Sequence, residues 1–191
     1  MALETGTAQA DTLFKWEGQP TWNEDWKRDH TLQSAFRNSV VWIYQDIVQQ
    51  VGAPGMEAWL QRLDYGNATT GGPDTLTTYW LNDTLQISAV EQVDFLTRLV
   101  EQRLPISPET YAAADDIMLA DTGEGWELRA KTGWRHGRDI MDIGWYVGWV
   151  ACGDDHYVFA LNMDMPDSSF RDFRQSTAMS VLTDIGAFNC N

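Results

Sequence analysis

A change of texture after Met118 limits the folds open to this chain. Before it, apolar residues recur at helical spacing. Beyond it come three short stretches rich in aromatic and β-branched residues, Trp126 to Thr132, Gly144 to Cys152 and His156 to Met163. The last two are separated only by Gly153-Asp154-Asp155, which predicts an antiparallel hairpin. A further helical pattern runs from about Arg174 to Ile185. Helices, then strands, then one closing helix predict an α+β domain with an antiparallel sheet.

The helical part has legible boundaries. The stretch to about His30 reads as irregular loop, with Trp16, Gly18, Pro20, Trp22 and Trp26. A helix is predicted from about Thr31 to Val51, with Val40, Tyr44, Ile47, Val48 and Val51 on one face and Gly52 as its stop. Pro54 begins a shorter helix carrying Met56, Trp59, Leu60 and Leu63, which ends in the turn Asp64-Tyr65-Gly66-Asn67. Residues 67–78 are Thr-, Gly- and Pro-rich loop. Ser88 and Glu91 form a capping box, in which each side chain satisfies an exposed helical amide, before the apolar series Val93, Leu96, Leu99 and Val100. Ser107-Pro108 places a cap and a first-turn proline before a helix through Met118.

Composition removes several classes of function. Lys and Arg total 13 against 28 Asp and Glu, a formal charge of −15, which argues against nucleic acid or an anionic membrane surface as partner. No apolar run reaches the ~18–20 residues of a membrane span. The opening Met-Ala-Leu-Glu-Thr-Gly lacks the hydrophobic stretch of a signal peptide. The 191 residues are expected to form one domain, 1–191, with no linker and no internal repeat. Cys152 and Cys190 are too few for a disulfide framework or a thiolate metal site, and nothing in their spacing says whether they bridge. His30, His136 and His156 show no ligand spacing and read as surface residues; Asp115-Asp116 and Asp154-Asp155 read as solvated acid pairs, so no metal is expected.

Chemistry enters with Lys131-Thr132-Gly133 on the first of the three strands, followed by Trp134. Lysine supplies charge, threonine a hydroxyl, and glycine lets a ligand approach the backbone, a set suited to a carboxylate and an acyl group. Alone the tripeptide recurs by chance. It is accompanied, in order, by Ser39-Val40-Val41, Tyr65-Gly66-Asn67, Tyr79-Trp80-Leu81 and the segment Leu85 to Leu96. After it come Gly144-Trp145-Tyr146-Val147-Gly148-Trp149-Val150 and Phe159-Ala160-Leu161-Asn162-Met163-Asp164-Met165. Together these resemble the class D serine β-lactamases, the oxacillinases, and more distantly the penicillin-sensing domains of β-lactam receptors. The likeness runs from about Ala2 to Phe188 and implies the serine β-lactamase and penicillin-binding transpeptidase fold.

The resemblance implies roles. Ser39 matches a serine that relays a proton to the leaving β-lactam nitrogen, with Val41 packed beside the general base. Lys131 supports the relay, and Thr132 and Gly133 help hold the substrate. The Trp134 amide supplies half of an oxyanion hole. Trp80 matches a tryptophan whose indole N–H steadies a carbamylated lysine. Arg174 matches the arginine that pairs with the drug carboxylate, although Arg171 stands close enough to compete for that role.

The family's nucleophile lies in a Ser-x-x-Lys motif whose lysine is the carbamylated base, and these residues contain no such pair. The lysines are Lys15, Lys27 and Lys131, and none has a serine three positions earlier; Thr12-Leu-Phe-Lys15 has the spacing but falls where the family has a Phe-Lys-Trp segment. The opening resembles the end of the active-site helix. The expectation is therefore a β-lactam hydrolase by lineage, lacking here its first strands, active-site helix and export signal, inactive alone, and periplasmic or secreted in complete form. A penicillin-binding sensor and an inactive orphan fragment are the alternatives. A small-molecule β-lactam is the expected partner, no cofactor is implied beyond the carbamylated lysine, and a homodimer is left open.

Overall fold

The computed structural model describes residues 1–137 and 140–190. Its helices are α1 (Ala2–Thr5), α2 (Leu32–Asn38), α3 (Val41–Arg62), α4 (Ala89–Val100), α5 (Pro108–Met118) and α6 (Phe173–Asp184). The two-residue strands β1 (Leu13–Phe14) and β2 (His30–Thr31) pair antiparallel within the otherwise irregular opening stretch. The main sheet is antiparallel in the order β3 (Leu119–Gly123), β4 (Trp126–Arg135), β5 (Asp142–Cys152), β6 (Asp155–Met165). The architecture is α+β, with the predicted hairpin at β5–β6.

Two local outcomes differ from the sequence reading, and a third answers a point it left open. The long helix expected from Thr31 is two helices, because Ser39 adopts left-handed backbone angles (φ 51°, ψ 47°) between α2 and α3. Strand β3 was not foreseen; Leu-Ala-Asp-Thr-Gly is mostly exposed and poor in strand-forming residues, and it is held by pairing with β4. Cys152 and Cys190 form a disulfide, tying the end of β5 to the tail behind α6. The helix stop at Gly52 stands (φ 76°, ψ 158°): α3 is kinked there and continues through Pro54. The Ser88–Glu91 capping box and the Ser107 cap are formed.

Strand alternation gives β4–β6 two different faces. Leu128, Ala130, Tyr146, Val150, Tyr157, Phe159 and Leu161 pack with Ala178, Leu182, Ala187 and Phe188 into a closed apolar layer beneath α6. The register places these residues opposite one another: Leu128–Val150–Tyr157, Ala130–Gly148–Phe159 and, at the next step, Thr132–Tyr146–Leu161. Gly148 is required, since a Cβ there would sit 1.9 Å from the Arg129 carbonyl oxygen. The intervening residues Lys131, Gly133, Trp145 and Val147 project to the other side, toward the loop between α3 and α4.

Of the polar residues read as solvated, His30 is buried, while Asp115 is exposed but ion-paired. His30 is 1% exposed, with Nε2 donating to the Asp25 carbonyl at 3.1 Å and Nδ1 3.0 Å from Ser34 Oγ. Its burial pulls the imidazole pKa down. Asp115 pairs with the buried Arg129 at 2.5 Å, joining α5 to β4, while Glu127 takes the same guanidinium at 2.9 Å.

Candidate active site

The site is built where the α2–α3 junction meets β4. Ser39 caps the C-terminus of α2 in a conformation that costs a non-glycine residue roughly 1–2 kcal/mol. Strained backbone of this kind persists where surrounding structure dictates it and gathers at functional positions. The strain presents the Ser39 hydroxyl to Lys131, whose Nζ donates to Ser39 Oγ at 2.5 Å and to the Thr132 carbonyl at 2.8 Å, with Thr132 Oγ1 at 3.3 Å. The ammonium also lies 5.6 Å from the centre of the Phe36 ring. Burial, with a smaller push from the Arg174 charge, lowers the Lys131 pKa from 10.5 to about 8. A lysine so placed exchanges protons near neutral pH.

Lys131 and its neighbours open onto a cleft of about 490 Å³ lined by Tyr65, Trp80, Leu85, Gln92, Thr132, Gly133, Trp134, Trp145 and Val147. Beyond Arg129, β4 pairs with β5 alone, so among the described residues the Lys131–Trp134 edge carries no second strand. The opposite wall is the loop after α3. Its two ends are pinned together: Asn67 N donates to the Gln86 carbonyl at 2.9 Å, Gln86 N donates to Asn67 Oδ1 at 3.1 Å, and Asn67 Nδ2 donates to the Thr84 carbonyl at 2.9 Å. Gly66 allows this, since at φ 56° a Cβ would meet the Gln86 carbonyl oxygen at 2.2 Å. Within the loop, Trp80 packs edge-on against Tyr79 with ring centres 5.1 Å apart. Arg135 of β4 pairs with Asp83 at 2.7 Å, and His136 N donates to the Leu81 carbonyl at 3.0 Å, holding the loop to the strand.

Two arginines flank Trp134 near the end of β4. Arg174 is buried, with Nη1 donating to the Gly133 carbonyl at 2.5 Å and Nε donating to the Arg171 carbonyl at 2.9 Å. Its guanidinium lies 5.5 Å from the centre of the Trp134 ring, and that of Arg171 lies 5.9 Å from it. Neither arginine is paired with a carboxylate among the described residues.

Ser39, Lys131 and Thr132 are therefore in direct contact, Trp80, Gly133 and Trp134 line the same cleft, and Arg174 joins it through Gly133. Val41 opens α3 and packs with the apolar cluster of Val40, Trp42 and Ile43 rather than lining the cleft. Thr12 and Lys15 flank the extended strand β1 instead of occupying successive helix turns, so the motif-like spacing has no motif geometry. The sequence reading missed Asp142, which gathers the base of the β4–β5 loop. It accepts from Trp134 Nε1 at 2.7 Å, His136 Nδ1 at 2.9 Å and Gly137 N at 2.8 Å. Burial raises the Asp142 pKa, but hydrogen bonds from these three residues outweigh it and hold the carboxyl below the usual range.

This fold, with a lysine–serine pair at a strand edge, defines a protein of the penicillin-recognising serine enzymes. The penicillin-binding protein transpeptidase domain family matches residues 1–186. Beta-lactamase OXA-48 of Klebsiella pneumoniae is 37% identical over 183 residues, covering 95% of this chain and 68% of that protein. OXA-15 of Pseudomonas aeruginosa is 37% identical over 195 residues, covering 100% of this chain and 67% of that protein. Among solved structures, the class D β-lactamase YbXI from Nostoc superposes with a TM-score of 0.93 at 33% identity, over 98% of this chain and 78% of that one. The chain belongs to the class D β-lactamases, a family of hydrolases.

Proposed function

We propose that these 191 residues form the substrate-holding side of a class D β-lactamase site, and that a polypeptide of this exact sequence binds a β-lactam without turning it over. The observation that carries this is the 2.5 Å contact between Lys131 Nζ and Ser39 Oγ at the floor of the cleft. A serine hydroxyl against a lysine whose pKa burial lowers to about 8 can pass a proton to a departing ring nitrogen. Thr132 and the guanidiniums beside Trp134 provide donors for a carboxylate. The Trp134 amide on the free edge of β4 provides one donor for a developing oxyanion. Opening the ring through an acyl-enzyme also needs an activated nucleophile. No Ser-x-x-Lys occurs in the sequence to supply one, nor a lysine for Trp80 to steady as a carbamate. The disulfide favours folding in an oxidising compartment, in keeping with a periplasmic or secreted protein.

The test is a chromogenic cephalosporin offered to the purified polypeptide and to the same chain extended upstream by a segment carrying Ser-x-x-Lys and the first strands of a relative. The expected result is no turnover above buffer for the first and measurable turnover for the second. Turnover by the 191-residue chain itself, abolished by Thr12→Ala or Ser39→Ala, would show another hydroxyl acting as nucleophile and overturn the proposal.

A further inference from the structure

The two arginines beside Trp134 share a support that is itself held by a third residue. The Trp134 ring is a shared platform: the Arg171 and Arg174 guanidiniums lie 5.9 and 5.5 Å from its centre, and the His136 imidazole stacks near it at 5.6 Å with an interplanar angle of 23°. Cations favour the face of an indole, so the plane of that ring determines where the guanidiniums rest. Arg174 is also anchored through Gly133 and the Arg171 carbonyl, but Arg171 is exposed, and among the described residues its guanidinium rests on this indole alone. The plane itself is set from the ring's edge. Asp142 Oδ2 accepts the indole N–H at 2.7 Å, while Oδ1 is held by Gly137 N at 2.8 Å, so the carboxylate is fixed to the backbone on one side and fixes the indole on the other. A charged acceptor makes a stronger hydrogen bond than a neutral one, and negative charge at the N–H edge increases the electron density of the ring face that the cations meet.

We infer that Asp142 is a positioning residue for the substrate carboxylate: by pinning the Trp134 indole it keeps Arg171 and Arg174 converged on one anion. The inference rests on the reading that this cleft holds a β-lactam carboxylate. It predicts that Asp142 matters for a charged ligand and not for the same ligand made neutral.

The experiment uses the 191-residue polypeptide, its Asp142→Ala and Asp142→Asn variants, and benzylpenicillin beside its methyl ester. Binding is read by titration of amide and indole resonances. Asp142→Ala is expected to weaken benzylpenicillin about tenfold, the scale of one charged hydrogen bond, and to leave the ester unchanged. Asp142→Asn, which keeps an oxygen for the indole N–H, is expected to recover most of that loss. Without ligand, Asp142→Ala should move the Trp134 indole and Arg171 Nε–H resonances, and Asp142→Asn should move them less. Equal weakening of acid and ester would mark Asp142 as structural and overturn the inference, as would unmoved Trp134 and Arg171 resonances. If Asp142→Ala fails to fold, Asp142→Asn and Trp134→Phe decide: Trp134→Phe should lower the preference for acid over ester, and Asp142→Asn added to it should lower it no further. If the parent binds neither acid nor ester, the proposed function fails, while the ligand-free resonances still decide the positioning role.

Discussion

The two faces of the β4–β6 sheet are made by the same strands and could hardly differ more. Beneath α6, Leu128, Ala130, Tyr146 and Val150 meet Ala178 and Leu182 in an apolar layer, and the Cys152–Cys190 bridge ties the tail behind α6 to the end of β5. One residue along, on the opposite face, Lys131 holds a buried ammonium against a serine in strained backbone, at the floor of a 490 Å³ cleft. Alternation at period two lets a single strand serve both purposes, so stability and chemistry can be changed separately.

The widest separation should come from paired substitutions. In a chain extended to carry Ser-x-x-Lys, Lys131→Ala should lower turnover about 100- to 10,000-fold without lowering the melting temperature. Leu182→Ala, behind the same strands, should remove about 2–5 kcal/mol of stability in denaturant unfolding while leaving β-lactam affinity intact. Comparable damage to both properties from either variant would end the distinction. Next in size is the bridge: Cys152→Ser should cost roughly 3–4 kcal/mol by the loop-closure argument for its 38-residue separation.

A third measurement concerns Lys131 alone. With its pKa lowered to about 8, the folded chain releases this proton before the unfolded chain does. Between pH 8 and 10.5 the unfolded state therefore holds more protons, and stability contributed by this site should rise with pH across that window. The burden of the buried charge is felt in full below pH 8. Comparing parent and Lys131→Met in denaturant at pH 7.5 and 9.5 isolates the site; a constant difference between the two would contradict the shift. The smallest effect is at Ser39, where Ser39→Gly should stabilise by about 1 kcal/mol by removing left-handed strain, while abolishing the proton path.

Much of this was readable in advance, and the failures share a cause. Strands β4–β6 announce themselves through aromatic and β-branched runs, and the caps at Ser88 and Ser107 through local hydrogen-bond chemistry. The helix break at Ser39 is silent because Leu32 and Phe36 before it and Val40, Ile43 and Ile47 after it keep one helical apolar spacing. β3 is silent because its order comes from β4. The disulfide and Asp142 depend on distances across folded chain: 38 residues in one case, and in the other a loop that returns Asp142 to Trp134, eight positions earlier. The Ser39–Lys131 contact lies between these extremes. Its two residues were found by motif, but only the fold brings together groups 92 positions apart.

The fastening of Asn67 to Gln86 and Thr84 has a consequence for how such a protein can diversify. The middle of this cleft wall is tied to α3 as well, by Gln45 Nε2 donating to the Thr77 carbonyl, by Thr70 donating to Glu57 and by Tyr79 packed against Met56 and Leu60, which leaves Gly71 to Asp74 as its exposed corner. Lengthening a flexible loop is thermodynamically cheap, about 0.6 kcal/mol for each doubling. Residues inserted at 71–74 would lengthen that corner and leave the loop's anchors on α3 where they are. Length can thus vary at this corner while the Ser39–Lys131 contact stays as it is.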